Sequence, residues 1–175
     1  MKDSGLFEAG LTLLELLMVV AIMSVVGAVS VPAIKDQLTA YQLRGTGREI
    51  YGAFQLARLE AVRRGLRCTL SFGGVVDGKE ADCHVYVDLN RNSVWDPDEE
   101  VLRSMSCPTA RGVSFAEANF GQNSMGQPTL SYTPRGLSVS PSGGFGAGSV
   151  VVSNDRGHSL RIIVNATGRV RIGSP

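Results

Sequence analysis

The hydrophobic pattern of the chain begins with an apolar run of 21 residues, Leu11–Val31, in which Glu15 is the sole charged residue. An α-helix rises ~1.5 Å per residue, so a run of this length spans the ~30 Å hydrocarbon core of a bilayer. A cleaved secretory signal is the alternative, but its apolar region is usually only ~7–15 residues long, and Pro32 lies just beyond the site of such a cut. The pattern therefore predicts a transmembrane helix.

From residue 33 to about Arg64 the apolar positions recur at steps of three or four, which is typical of an amphipathic helix. Gly65 is a suitable end, because glycine readily takes the left-handed conformation that closes helices. We therefore expect one long helix, apolar all round over residues 11–32 and one-sided over residues 33–66. Its buried positions are expected to be Leu43, Gly47, Ile50, Phe54, Ala57 and Ala61.

Residues 67–175 contain short segments rich in β-branched or alternating residues, separated by Gly, Asn, Asp and Pro. Consecutive strands with short turns favour an antiparallel sheet, and one helix laid across this sheet gives an α+β fold. The predicted strands are Leu66–Phe72, Cys83–Leu89, Glu100–Cys107, Thr129–Thr133, Ser149–Ser153, Ser159–Asn165 and Arg169–Ile172.

The formal net charge of +1 excludes a strongly basic nucleic-acid binder and an acidic disordered tail as descriptions of the whole chain. The charge is nevertheless unevenly distributed. Residues 67–119 hold five basic and nine acidic side chains, whereas residues 120–175 hold five Arg and a single acid, Asp155. We therefore expect two electrically different surfaces in the C-terminal part.

Glu15 needs a partner, because a carboxylate inside a spanning helix costs about 2.5–3.5 kcal/mol on insertion scales. A cut after Gly10 would create a free α-amino group, a cation with a pKa of ~8, close to this carboxylate. The segment from Gly10 to Glu15 is therefore interpreted as a processing site followed by an acid one helical turn into the new N-terminus.

Gly10, the LTLLE sequence that follows it, the apolar helix and Pro32 together resemble the N-terminus of type IV pilins and pseudopilins. The resemblance implies that residues 1–10 are a leader, that prepilin peptidase cuts after Gly10, and that the new N-terminus is methylated at Leu11. It also implies that Glu15 pairs with the N-terminal amine of a neighbouring subunit, and that Pro32 kinks or locally melts the helix.

Three further segments look like those of the GspH/FimT family of minor pseudopilins: Gln55–Gly65, the acidic turn before Glu99, and the C-terminal GRVRI sequence. The resemblance implies a type IV pilin fold, with the long helix packed on an antiparallel β-sheet domain. It implies a minor, assembly-initiating subunit of a type IV pilus or type II secretion pseudopilus. Its partners would be other pilins and an inner-membrane assembly platform, and the β domain would lie in the bacterial periplasm. A secreted or membrane-anchored monomer is the alternative.

The C-terminal hairpin carries a candidate phosphate-binding surface. If residues 166–168 form a three-residue turn with Gly168 left-handed, Asn165 pairs with Arg169 and Ile163 with Arg171. One face then holds Ile162, Val164, Val170 and Ile172, and the other holds Arg161, Arg169 and Arg171. A guanidinium cluster suits phosphate, although a solvated strand face is the commoner outcome. DNA-uptake members of the GspH/FimT family bind DNA through this end, so the resemblance implies double-stranded DNA as a partner.

The three cysteines are predicted on neighbouring strands. In a hairpin that turns near residues 75–76, Cys68 lies about opposite Cys83, and in the next hairpin Cys83 lies about opposite Cys107, so that one pair at most can form. An extracytoplasmic compartment favours a bridge. The family resemblance favours Cys68–Cys83, and three unpaired buried thiols are the alternative.

No combination of residues predicts an enzyme or a cofactor, because His84 and His158 are isolated and no Ser has the context of a nucleophile elbow. The segment from Asp88 to Glu99 matches an EF-hand calcium loop at positions one, three, five, nine and twelve. Ser93 stands where that loop requires Gly, however, and no helices flank the segment. We interpret it as the turn of a hairpin, and we expect a structural protein without a metal site.

Overall fold

The structure, a computed structural model, describes residues 12–107 and 112–173, apart from the side chains of residues 29–36. The chain divides into two compact units, residues 1–38 and 39–175. Helix α1 (Leu13–Arg64) contributes residues to both units and includes Pro32. The predicted processing residues Gly10 and Leu11 lie outside the described residues.

Thr12 starts the helical part of the first unit. Its Oγ1 accepts the N–H of Glu15 at 3.2 Å, and its carbonyl accepts the N–H of Leu16 at the same distance. Thr12 therefore caps α1, because the first turn of a helix has N–H groups without a partner inside the helix. Among the described residues, no helix has a stretch that is long and apolar enough to cross a membrane. The predicted span Leu11–Val31 includes Leu11 and three side chains that lie outside the described residues.

The second unit begins with the amphipathic part of α1. The side chains predicted to be buried on this part are buried, and Phe54, Ala57 and Ala61 have no exposed surface. The helix ends at Arg64, and Gly65 has a φ of +68°, so its predicted end is confirmed. The helix buries one face because the apolar residues recur with its own period.

Within residues 67–107 and 112–173, eleven strands follow α1 and form two main antiparallel sheets, so the prediction of a single sheet is wrong. The first sheet has the order β5-β4-β1-β7-β8, the second has the order β11-β10-β9-β6, and β2 pairs with β3 alone. The strands are β1 (Arg67–Phe72), β2 (Val75–Val76), β3 (Lys79–Glu80), β4 (Cys83–Asp88), β5 (Val101–Met105), β6 (Val113–Asn119), β7 (Thr129–Tyr132), β8 (Ser138–Val139), β9 (Gly148–Asn154), β10 (Ser159–Val164) and β11 (Val170–Gly173).

An aromatic cluster joins the helix to both sheets. Phe54 of α1 lies 6.0 Å from Phe72 of β1 and 5.9 Å from Phe120, between ring centroids. Phe72 stacks in turn on Phe115 of β6 at 5.8 Å. Aromatic pairs at these separations contribute about 0.5–1.5 kcal/mol each beyond their buried area. This cluster therefore fixes the sheets against one helix.

The β1–β4 hairpin corrects the predicted cysteine pairing. Its register pairs Cys68 with Val87 and Phe72 with Cys83, because the tight turn falls at Asp77-Gly78 and not at residues 75–76. Both turn residues have positive φ, 51° and 69°, as a two-residue hairpin turn of this type requires. Cys68 and Cys83 are therefore four residues apart along the ladder, which is too far for a disulfide. Cys68, Cys83 and Cys107 are all free thiols.

The five-stranded sheet buries a polar face that the sequence pattern does not predict. Thr69, Ser131 and Asp88 lie on this face without exposed surface or nearly so. Thr69 Oγ1 donates to Asp88 Oδ2 at 3.0 Å and lies 2.8 Å from Ser131 Oγ. The chain from Ser93 onward covers them, since Ser93 Oγ lies 3.3 Å from Ser131 Oγ. The acidic turn therefore folds back over the sheet.

Candidate functional site

The helical residues of the first unit present apolar side chains to solvent. The large apolar residues of α1 between Leu13 and Val26 have exposed fractions from 48% to 80%. Soluble monomers rarely expose contiguous apolar surface of this extent, and such surface marks a contact with lipid or with another protein. This part of α1 is therefore a candidate assembly surface.

Glu15 lies at the beginning of this apolar surface, with an exposed side chain. It is the third residue of the helix, after the cap Thr12, so the pair has the spacing of a capping box. A carboxylate in the first turn also interacts favourably with the positive end of the helix dipole. Glu15 therefore occupies a position that favours the start of the helix, in addition to any role between subunits.

The C-terminal hairpin has the predicted register. Ile163 pairs with Arg171 and Val164 with Val170. The N–H of Asn165 donates to the Arg169 carbonyl at 3.1 Å, and Gly168 has a φ of +78°, so the three-residue turn is confirmed. Of the four side chains predicted for the core face, three are buried, namely Ile162, Val164 and Val170, whereas Ile172 is 42% exposed.

The turn of this hairpin is anchored to the five-stranded sheet. Tyr132 Oη donates to the Gly168 carbonyl at 3.2 Å, and Ser138 Oγ lies 3.1 Å from the Asn165 carbonyl. Asn165 Oδ1 accepts the N–H of Arg169 at 2.8 Å. These bonds fix the backbone from which Arg169 projects.

Arg161, Arg169 and Arg171 are exposed on the face opposite the core, as predicted. Arg169 and Arg171 line a surface concavity of about 470 Å³ with Ile163 and Asn165, and Arg161 lies beyond it on β10. In the parts of the chain that the structure describes, no carboxylate forms an ion pair with these three guanidinium groups. Their charge is therefore available to an anion from solution.

Two helix arginines, Arg44 and Arg48, lie beside the same hairpin on its other face, and they were not assigned to a site from the sequence. They line a second concavity of about 190 Å³ with Leu160 of β10 and Ile172 of β11. β11 is an edge strand of its sheet, and Ile172 of β11 places this concavity beside that edge. The i, i+4 spacing of the two arginines places them on one helix side, but nothing local in the sequence connects them with the C-terminal hairpin.

The acidic turn is held by hydrogen bonds between its own residues. Glu99 is buried, and its two carboxylate oxygens accept the N–H groups of Leu89 at 2.7 Å and Asp96 at 3.1 Å. Asp96 Oδ2 accepts the side-chain amides of Asn90 and Asn92 at 2.7 and 3.0 Å. Burial raises the pKa of Glu99, and the two backbone donors oppose this effect.

Asp88 and Ser93 show how the same turn is closed. Ser93 has a φ of 60°, the conformation that Gly favours, and its N–H donates to Asp88 Oδ2 at 3.2 Å. Within the described residues, no group of three His, Cys, Asp or Glu side chains is arranged to hold a metal ion. The structure therefore shows a hydrogen-bonded turn that covers the polar face of the sheet.

The two histidines, His84 and His158, lie within hydrogen-bonding distance of other residues of the fold. His84 is buried, with its ring nitrogens 3.0 Å from Ser104 Oγ and 3.2 Å from the Gly74 carbonyl. Burial lowers its pKa, which favours the neutral ring. His158 Nδ1 lies 3.4 Å from the side-chain amide of Asn154 in the β9–β10 turn. Each histidine therefore has a local structural partner.

The α+β fold, the N-terminal helix with exposed apolar side chains and the antiparallel sheets define a type IV pilin-like protein of the minor pseudopilin class. The chain belongs to the GspH family, described as type II transport protein GspH, which it matches over residues 46–168. It is also 28% identical over 180 residues to Pilin-like protein PilA1 of Thermus thermophilus, an alignment that covers 93% of this chain and 97% of that protein. No solved structure matches the chain significantly. The family resemblance of the sequence is confirmed.

Proposed function

We propose that this minor pilin or pseudopilin helps to initiate a type IV pilus or a type II secretion pseudopilus. The observation that carries the proposal is the exposed apolar surface of α1 between Leu13 and Val26, in a member of the GspH family. Before assembly, the N-terminal part of α1 crosses the bacterial inner membrane once, so that lipid covers this surface. The second unit then lies in the periplasm. After assembly the helices of neighbouring subunits cover the apolar surface. The role is structural and requires no catalysis.

The maturation proposed for the chain gives Glu15 its partner. Prepilin peptidase cuts after Gly10 and methylates Leu11, which leaves a cationic amine next to the helix cap Thr12. The Glu15 carboxylate then pairs with the amine of a neighbouring subunit, while an inner-membrane platform drives assembly. A buried carboxylate with an opposite charge beside it stays ionised. If the helices of two subunits were aligned differently, the carboxylate and the amine would both be buried without a partner, which is unfavourable.

Two substitutions separate this role from the capping role that the structure shows. Glu15→Gln removes the charge but keeps a residue that suits a capping box, whereas Thr12→Ala removes the cap and keeps the charge. We expect Glu15→Gln to insert in the membrane and be processed but to be absent from sheared filaments, and Thr12→Ala to be incorporated. Normal incorporation of Glu15→Gln would contradict the proposal. A mass that retains residues 1–10 in the native host would contradict the maturation step.

DNA binding is a second candidate function of the same chain, favoured by the basic surface of the C-terminal hairpin. Arg161, Arg169 and Arg171 are exposed on an anchored hairpin, and no described carboxylate neutralises them. Guanidinium groups bind phosphate with two parallel hydrogen bonds, so a row of them suits the backbone of double-stranded DNA. Arg44 and Arg48 would extend the contact around the free edge of β11.

The test is the salt dependence of DNA binding by the full-length protein in detergent. We expect the affinity to fall as salt rises, and Arg169→Ala and Arg171→Ala each to reduce the slope of log affinity against log salt by about one. Arg103→Ala is the matched control, because Arg103 is an exposed strand arginine of the other sheet. Binding that is absent, or that Arg103→Ala lowers equally, would leave only the structural role.

A further inference from the structure

Two of the three buried cysteines are neighbours at one end of the five-stranded sheet. Cys83 begins β4 opposite Met105 of β5, and Cys107 lies two residues beyond Met105. Cys107 is buried in the same hydrophobic core as Cys83, so the two side chains lie on the same side of the sheet. Both belong to the hydrophobic core, and both line one small cavity with Met105.

Asp82 holds the two cysteines close together. It precedes Cys83 in the chain, and its Oδ2 accepts the N–H of Cys107 at 2.7 Å. Diagonal neighbours in an antiparallel pair lie ~7–8 Å apart between Cα atoms, and a disulfide requires ~4.4–6.8 Å. Because β5 ends at Met105, Cys107 lies beyond the last paired residue. The ladder does not fix the position of Cys107, and from the diagonal spacing a movement of about 1 Å would bring the pair into the range of a disulfide.

We propose that Cys83 and Cys107 form an intramolecular disulfide when the protein folds in an oxidising compartment, and that Cys68 remains a buried thiol. The assignment of the oxidising compartment to the periplasm rests on the proposed function, but the chemistry of the bond does not. The two thiols release two protons and two electrons as the S–S bond forms. The oxidant, glutathione disulfide or the disulfide of a thiol oxidoreductase, accepts them and is cleaved to two thiols.

We expect the bond to form during folding, because both thiols are buried in the folded protein and an oxidant cannot readily reach them. Burial raises the pKa of both Cys83 and Cys107 to about 12, so little thiolate exists in the folded protein at neutral pH. The thiolate is the species that attacks a disulfide, so oxidation requires that the core is still open. Once formed, the bridge closes the segment from Cys83 to Cys107, which carries the acidic turn.

Peptide mapping tests the pairing directly, because trypsin places the cysteines in separate peptides, residues 68–79, 80–91 and 104–111. The full-length protein is refolded in detergent with reduced and oxidised glutathione, alkylated, and digested without reductant. We expect peptide 80–91 joined to peptide 104–111, two hydrogen atoms lighter than the sum of the two, and peptide 68–79 alkylated. A link between 68–79 and either other peptide, or alkylation of all three, would overturn the proposal.

Thermal unfolding provides the second measurement. Reductant should lower the Tm of the refolded wild-type protein by roughly 5–12 °C, because the bridge restricts the unfolded chain. Cys68→Ala is the matched control and should keep this reductant-sensitive difference, whereas Cys107→Ala should lose it. A wild-type Tm that reductant does not change would count against the bridge. Since refolding in vitro needs no cellular location, a failure here is distinct from a failure of filament assembly.

Discussion

Tyr132 and Gly168 connect the two sheets of the second unit through one buried hydrogen bond. Tyr132 Oη, on the five-stranded sheet, donates to the Gly168 carbonyl in the turn of the C-terminal hairpin at 3.2 Å. Tyr132 has no exposed surface, and burial raises the pKa of its phenol, so the hydroxyl remains a donor at physiological pH. The position of Arg169, which follows Gly168, therefore depends on a side chain that lies 36 residues before Gly168 in the chain.

Tyr132→Phe tests this connection while it preserves the ring. We expect the free energy of unfolding to fall by about 1–3 kcal/mol, because the buried Gly168 carbonyl loses the donated bond. Tyr41→Phe is the control, since Tyr41 is 72% exposed and the loss of its hydroxyl should change stability by less than about 0.5 kcal/mol. Denaturant titration measures both, and equal effects would show that the Tyr132 hydroxyl contributes nothing specific.

Gly168 itself should be intolerant of a side chain. Its φ is +78°, and an added Cβ would lie 2.9 Å from both the Gly136 carbonyl oxygen and Tyr132 Cε1. Gly157 has a similar φ of +79° with nothing within 4 Å, so it isolates the cost of the conformation alone. We expect Gly157→Ala to lower the free energy of unfolding by about 1–2 kcal/mol, and Gly168→Ala to lower it by distinctly more. Equal losses in denaturant titration would mean that the turn moves away from the sheet without cost.

Features that depend on a clear local pattern of residues were predicted from the sequence. Features that depend on pairing with a distant segment, or on the position of a single turn, were missed or misplaced. The helical period from Leu43 to Ala61 and the left-handed Gly168 gave the buried helix face and the C-terminal register. The strand Val113–Asn119 was missed because its residues alternate weakly and its partner is β9, far along the chain. The turn at Asp77-Gly78 was placed two residues early, and this error moved every predicted partner in the hairpin, including Cys68.

The buried polar face under the acidic turn was not predicted from the sequence either, because a distant segment covers it. Thr69 and Ser131 have the alternation of a solvated strand face, and no local signal shows that the turn folds back over them. The position of Arg44 and Arg48 beside the C-terminal hairpin was not predicted for a related reason. They lie next to Leu160 and Ile172 because α1 packs against β10 and β11, and this packing depends on the whole core.

Asp88 should be essential to the buried polar face. Its Oδ2 accepts hydrogen bonds from Thr69 Oγ1 at 3.0 Å and from the N–H of Ser93 at 3.2 Å. Asp88→Ala leaves the N–H of Ser93 buried without this acceptor and leaves Thr69 Oγ1 with Ser131 Oγ as its partner, so we expect a loss of about 1–3 kcal/mol in the free energy of unfolding. Asp98→Ala is the matched control, because Asp98 is an exposed acid of the same turn. A loss no larger than that of Asp98→Ala would contradict the role assigned to Asp88.

Acid should destabilise the second unit through the ion pairs that connect the end of α1 to Glu100, the residue before β5. Arg64 Nε donates to Glu60 Oε2 at 2.6 Å, and the same guanidinium donates to both carboxylate oxygens of Glu100. The bond from Arg63, followed by that from Arg64, lowers the pKa of Glu60, and Arg64 lowers the pKa of Glu100.

A carboxyl group whose pKa is lower in the folded state than in the unfolded chain stabilises the fold only while it is ionised. This contribution is complete above the unfolded-state value of about 4.3 and is lost as the pH falls through the lowered values of Glu60 and Glu100. We therefore expect the Tm of the wild-type protein to fall below about pH 5, and Arg64→Gln to show a smaller fall over the same range. Arg103→Gln, which removes an exposed arginine elsewhere, should keep the wild-type acid dependence. High salt should weaken the difference, because these side chains are partly exposed. If the Tm of Arg64→Gln falls with pH as steeply as the Tm of the wild-type protein, other carboxyl groups determine the stability in acid.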